Sequence, residues 1–144
     1  MAVLVGCSSN SSNDTANQGA DTAGAEMSGA ANGADGAAGL DTVFYFDFDQ
    51  YTLKPEAREA LVAHADVLKA APRSVRLEGH ADERGTREYN MALGERRANA
   101  VRDFLVLQGV NGADLEVISY GEERPAATGS DDASWSANRR VEMK

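Results

Sequence analysis

The stretch Gly79-His80-Ala81-Asp82-Glu83-Arg84-Gly85-Thr86, continued by Arg87 to Gln108, decides the architecture of this chain. The eight residues read as a strand end and a loop. Gly85 supplies a turn, Thr86 a helix N-cap, and the residues after it form one long amphipathic helix that Gly109 terminates. With Leu93 set at 0° and about 100° per residue, Ala100, Phe104 and Leu107 fall within roughly 40° of it, and Val101 lies at about 80°. Arg97 falls at about 40°, inside the apolar arc. A permanently charged guanidinium on the buried side of a helix is costly unless a partner satisfies it. The candidates are Asp82 and a ligand.

Outward from this stretch, strands and helices alternate. Val43-Phe44-Tyr45-Phe46-Asp47-Phe48 puts three phenylalanines on one face and predicts a strand. Pro55 suits a first helical turn, and Ala57, Leu61, Ala65 and Leu68 carry an apolar stripe until Pro72 stops it. Val75 to Gly79 forms a second strand with Val75, Leu77 and Gly79 on one face. Leu115 to Tyr120 is a third, and after a polar loop and a helical turn near Trp135, Arg140 to Lys144 alternates as a last strand. No internal repeat is present. The pattern predicts an α+β domain of two layers over residues 41–144, with helices packed on one face of a mixed four-stranded sheet.

The remaining residues differ sharply in composition. Residues 8–40 consist almost wholly of Ser, Asn, Ala, Gly, Asp and Thr, with no aromatic and no basic residue. Such a segment buries too little apolar surface to offset its ordering entropy. It reads as a flexible tether, with a mean span of roughly 30 Å and a stretched reach on the order of 100 Å. Before it, residues 1–7 end in the single cysteine, where Leu4-Val5-Gly6-Cys7 resembles a bacterial lipobox whose cysteine is acylated. A signal peptide needs a basic start and an apolar stretch of about 7 to 15 residues. Only Met1 to Gly6 precede Cys7, so the segment reads as a truncated or mis-started signal.

The 144 residues carry a formal charge of −9, with 26% charged and 42% hydrophobic residues. That is room for one modest domain. The acidic balance argues against a nucleic-acid partner, and no stretch is apolar enough to span a membrane as a helix. One thiol is too few for a zinc or redox site. His64 and His80, even with Asp82, lack the spacing of a metal motif. Asp82, Glu83 and His80 have no nucleophile beside them. The expectation is a protein without cofactor, metal or catalytic activity. Glu95, Arg96 and Arg102 read as a solvated helix face, and Trp135 as a core or rim aromatic.

Between β-strand and helix, the loop from Gly79 to Thr86 offers unpaired backbone N–H groups to an anionic ligand group. Asp82 adds a fixed negative charge, and Arg97 a fork suited to a carboxylate. One acid and one base close together either form an intradomain ion pair or receive a zwitterion, such as an amino-acid headgroup.

A resemblance bears on that choice. FDFDQYTLKPEA (Phe46 to Ala57), GHADERGTREYNMALGERRANAV (Gly79 to Val101), SYGEERP (Ser119 to Pro125) and NRRVEM (Asn138 to Met143) resemble the C-terminal domain shared by OmpA and the peptidoglycan-associated lipoproteins. The similarity covers about 42–144, with the motifs in order. The resemblance implies non-covalent binding of the peptidoglycan stem peptide at meso-diaminopimelate. It assigns Asp82 to the amino group and Arg97 to the carboxylate, with Phe48, Asp49, Asn138 and Arg139 around the ligand. A lipobox and tether, rather than a barrel or a spanning helix, make the lipoproteins the nearer branch, and Ser8 fits sorting to the outer membrane. Ala81 departs from the Thr frequent in OmpA-type domains. That branch also implies envelope partners such as TolB or other Tol and OmpA-like proteins, and a role in cell division and envelope integrity. The alternative function is a scaffold that mainly docks such proteins.

Overall fold

A computed structural model describes residues 39–144, and the readings of Cys7 and of the tether lie outside them. The elements run β1 (Val43–Tyr45), α1 (Pro55–Ala70), β2 (Val75–His80), α2 (Arg87–Leu107), a 3-10 turn (Gly112–Asp114), β3 (Leu115–Gly121), α3 (Asp132–Asn138) and β4 (Arg140–Met143). The sheet order is β1-β4-β2-β3. β4 is antiparallel to both neighbours, and β2 is parallel to β3. This is the mixed four-stranded sheet that the alternation predicts. α1 and α2 cover one face, and Phe44, Phe46, Leu61, Leu77, Val101, Leu105 and Val141 fill the space between. Among the described residues no helix is long and apolar enough to cross a membrane.

Two expectations need correction. The first strand ends at Tyr45, so only Phe44 and Phe46 of the three phenylalanines enter the core, while Phe48 is 55% exposed. The Phe46 amide still donates to the Arg139 carbonyl at 2.9 Å, and the chain then turns, with the Gln50 amide donating to the Asp47 carbonyl. Asp49 sits in that turn at φ 58°, a left-handed conformation Asp adopts more readily than most residues. Phe48 is thereby carried past the sheet edge.

The second correction concerns helical phase. Leu107 is 81% exposed and Phe104 only partly buried, whereas Asn90, Leu93, Gly94, Arg97, Ala98, Val101 and Leu105 are buried. The buried arc therefore runs from Leu93 through about 140° and is centred near Val101, at about 80°, with Gly94 and Ala98 on its far side. Glycine and alanine carry little apolar weight, so a reading by hydrophobicity misses the face on which they allow the closest approach. At Gly79 a β-carbon would fall 1.8 Å from the Gly94 carbonyl oxygen, and at Gly94 one would fall 2.4 Å from Ser119 Oγ. α2 rests directly on the backbone of β2 at this crossing.

His64 is a core residue. Its Nε2 meets the Asp41 carbonyl oxygen at 2.7 Å, and its ring stands edge-on to Phe44. The last strand is inserted beside β1 and β2, and its register aligns Val141 with both Phe44 and Gly79.

Candidate ligand-binding cleft

The cleft begins where β2 ends. A bulge between Gly79 and His80 shifts the register with β3, so that His80 faces Gly121, and the Ala81 amide donates to the Gly121 carbonyl at 2.9 Å. A bulge turns the strand and re-aims the side chains beyond it. Asp82, next in line, is directed inward and is 5% exposed. Its Oδ1 accepts the Arg84 amide at 2.9 Å, closing a local turn of the kind Asp favours. Gly85 then takes φ 100°, and Thr86 caps α2 by accepting the Tyr89 amide at 3.1 Å. The resulting cleft, of about 250 Å³, is lined by Phe48, Asp49, Asp82, Arg84, Gly85, Tyr89, Asn90 and Leu93.

Asp82 receives two cations. Arg84 donates through Nε to Oδ1 at 3.3 Å and through Nη2 to Oδ2 at 3.0 Å, and Arg139 Nη1 lies 3.5 Å from Oδ2. Burial pushes this carboxyl up, but the Arg84 hydrogen bonds and charge, with Arg139 behind them, outweigh burial and hold it below the usual carboxylate value. Arg139 is itself fixed, donating from Nε to the Phe46 carbonyl at 2.8 Å and from Nη2 to Ser136 Oγ at 3.2 Å.

Arg97 holds neither Asp82 nor a free position for a ligand. It is 0% exposed and donates to three backbone carbonyls, those of Gln50 at 2.7 Å, His80 at 2.9 Å and Asp47 at 3.1 Å. It ties the turn after β1 to the end of β2. Burial lowers its pKa to about 10, against the opposing effect of Asp82; Arg139 lowers it and Asp49 raises it. Asp82 thus favours the charge on Arg97 at a distance, and no ion pair joins them among the described residues.

Of the other expected residues, Phe48 and Asp49 line the cleft, and Asp49 accepts the Tyr89 hydroxyl. Arg139 reaches it through Asp82. Asn138 does not line it; its side chain accepts the Ala126 and Ala127 amides at 2.7 and 3.0 Å and donates to the Ala127 carbonyl at 2.8 Å. It organises the loop before α3. Three participants escaped the sequence reading. Arg84 has its guanidinium carbon 4.0 Å from the Phe48 ring centre and 4.1 Å from that of Trp135. Tyr89 forms one wall. Asn90, buried on the arc of Arg97, donates to Glu122 at 2.6 Å. Asn90 stands at about 60° on that arc, so its phase was a usable signal. Trp135 is a rim aromatic whose Nε1 donates to Glu83 at 3.1 Å.

On the sheet face away from the helices, Glu78, His80 and Glu142 bring ligand-type atoms within 4.8 Å of one another. Arg76, Lys144 and Arg140 already pair with the two glutamates. A cation would meet those positive charges, so the donor set does not suit one.

Comparison with known proteins places this geometry in a family. The model of the OmpA family matches residues 45–139. The peptidoglycan-associated lipoprotein of Pseudomonas aeruginosa is 57% identical over all of this chain and 90% of its own length, and that of Pseudomonas putida 56% over the same shares. The crystal structure of the peptidoglycan-associated lipoprotein from Burkholderia pseudomallei superposes with TM-score 0.70 at 47% identity, covering 72% of this chain and 88% of that one. The chain belongs to the OmpA family, in its branch of peptidoglycan-associated lipoproteins.

Proposed function

We propose that this domain binds the peptidoglycan stem peptide non-covalently at meso-diaminopimelate, as a binding module and not an enzyme. The observation that carries the reading is the buried, ionised Asp82 in a small cleft walled by Phe48, Tyr89 and Leu93. An ammonium group reaching Asp82 gains a charge-assisted hydrogen bond in a partly desolvated site. Arg97 supports the carboxylate end from behind, through its charge and by holding the turn at Asp47 to Gln50 in place. Phe48 and Asp49, on that turn, border the ligand.

The names of the relatives support an envelope role, in which a lipid on Cys7 holds the chain at the outer membrane and the domain grips the wall as part of the Tol-Pal system. One cleft binds weakly, because the ionic contact with Asp82 must outweigh desolvation. Many copies in one membrane hold firmly through effective concentration. Docking of TolB is a second reading, favoured by Tyr51 and Leu107, both exposed beside a groove of about 580 Å³ that Phe104 also lines.

Co-sedimentation with purified sacculi tests the first reading. Asp82→Ala should leave the domain folded and in the supernatant, and pelleting at the wild-type level would refute the assignment. No soluble wall fragments should appear during the incubation; their release would make the protein an enzyme.

A further inference from the structure

Asp82 has no free oxygen in this structure. Its Oδ1 takes two N–H groups of Arg84 and its Oδ2 a third, and only a twentieth of the residue meets solvent. An ammonium ligand at this nearly enclosed carboxylate therefore competes with the cations that already hold it. Two side chains are candidates for leaving. Arg139 is tied to the Phe46 carbonyl and to Ser136, and its contact with Asp82 is the longer one. The Arg84 side chain, by contrast, hydrogen-bonds to Asp82 alone among the described residues, is one-third exposed, and is otherwise held by the faces of Phe48 and Trp135.

We propose that Arg84 is a latch on the amino-group subsite, occupying Asp82 in the free protein and leaving its place between Phe48 and Trp135 when a ligand ammonium arrives. The proposal rests on the binding reading above and adds what regulates that site. Exchange of one cation for another keeps the Asp82 charge compensated throughout. A ligand bearing a neutral amide at the same position cannot offer that compensation, so the latch also sharpens selection for a free amino group. The stacked guanidinium makes the latch stronger than an exposed ion pair, because cation–π contact adds to the charge pairing.

Titration with free meso-diaminopimelate, followed by the fluorescence of Trp135, the only tryptophan, and by amide NMR shifts, tests the latch. Arg84→Met keeps an apolar stem between the rings and removes the fork. It should bind about five- to tenfold more tightly than the wild type, and the ligand-induced change in indole emission should disappear. Arg84→Gln, a second variant that guards against misfolding in the first, should likewise bind more tightly, and Arg84→Lys should restore competition. Equal or weaker binding by both neutral variants overturns the latch. Asp82→Asn should lose binding in the same assay. If it does while Arg84→Met gains nothing, the latch alone fails; if Asp82→Asn binds as the wild type does, the binding reading fails and the latch with it.

Discussion

The α-carbon of Gly79 faces the peptide carbonyl of Gly94 so closely that a side chain at either position must push a helix off a strand. The contact fixes the depth at which α2 lies over β2, and through it the position of the loop from Ala81 to Thr86. Gly79→Ala should therefore destabilise the domain by about 3 kcal/mol or more, since the atom it meets is backbone and cannot swing aside. Urea denaturation measures this, and a loss under about 1 kcal/mol would mean that the crossing is looser than it stands here.

Arg97 is a structural keystone before it is anything else. Arg97→Met strips three carbonyl acceptors of one charged donor and should cost about 3 kcal/mol without any ligand present. A double-mutant cycle should give a larger coupling for Asp82 with Arg84, which touch, than for Asp82 with Arg97, which do not. Loss of wall binding in an Arg97 variant is informative only beside its unfolding curve.

His80 predicts a pH dependence of stability. Among the described residues neither ring nitrogen has a hydrogen-bond partner, the residue is 2% exposed, and its pKa is lowered from 6.5 to about 4. Burial is the main cause, aided by Arg140, Lys144 and Arg124 and opposed by Glu142. The unfolded chain thus takes up a proton that the folded domain refuses between these values. Stability is full above about pH 6.5 and should fall by about 3 kcal/mol as pH drops to about 4. His80→Leu should flatten that limb of the curve and cost little at pH 7, since it removes two unpaired polar atoms.

Asp82 acts in a lower window. Its pKa lies below the ordinary 3.8, so its contribution to stability is present above that value and disappears as pH falls further. Wall binding should accordingly survive at pH 5, where His80→Leu removes the competing loss of fold. Binding of that variant lost already at pH 5 would point to another titrating group.

The order of strands and helices was legible because each keeps its own period, 2 in Val75 to Gly79 and 3.6 in Arg87 to Leu107. Arg97 was legible as an anomaly, and its partners were not. They are backbone carbonyls, and two of them belong to a turn 47 and 50 residues away that no side chain announces. Phe48 was misplaced for a related reason, since the turn that takes it out of the sheet is held by that same arginine. Arg84 lay in plain view two residues beyond Asp82, but its second stacking partner, Trp135, comes from α3, remote in sequence. Proximity in the chain made Arg84 look like loop; proximity in space makes it part of the cleft.

β4 is the last of the described strands in sequence and an interior strand in the sheet, and among the described residues β1 has no other partner. The sheet thus consists of two parts, β1 on one side and β2 with β3 on the other, that are joined only through β4. The hydrogen-bonded ladder closes only when Arg140 to Met143 slide in between. Those four residues therefore act as a clasp, and weakening them would part β1 from the rest of the sheet.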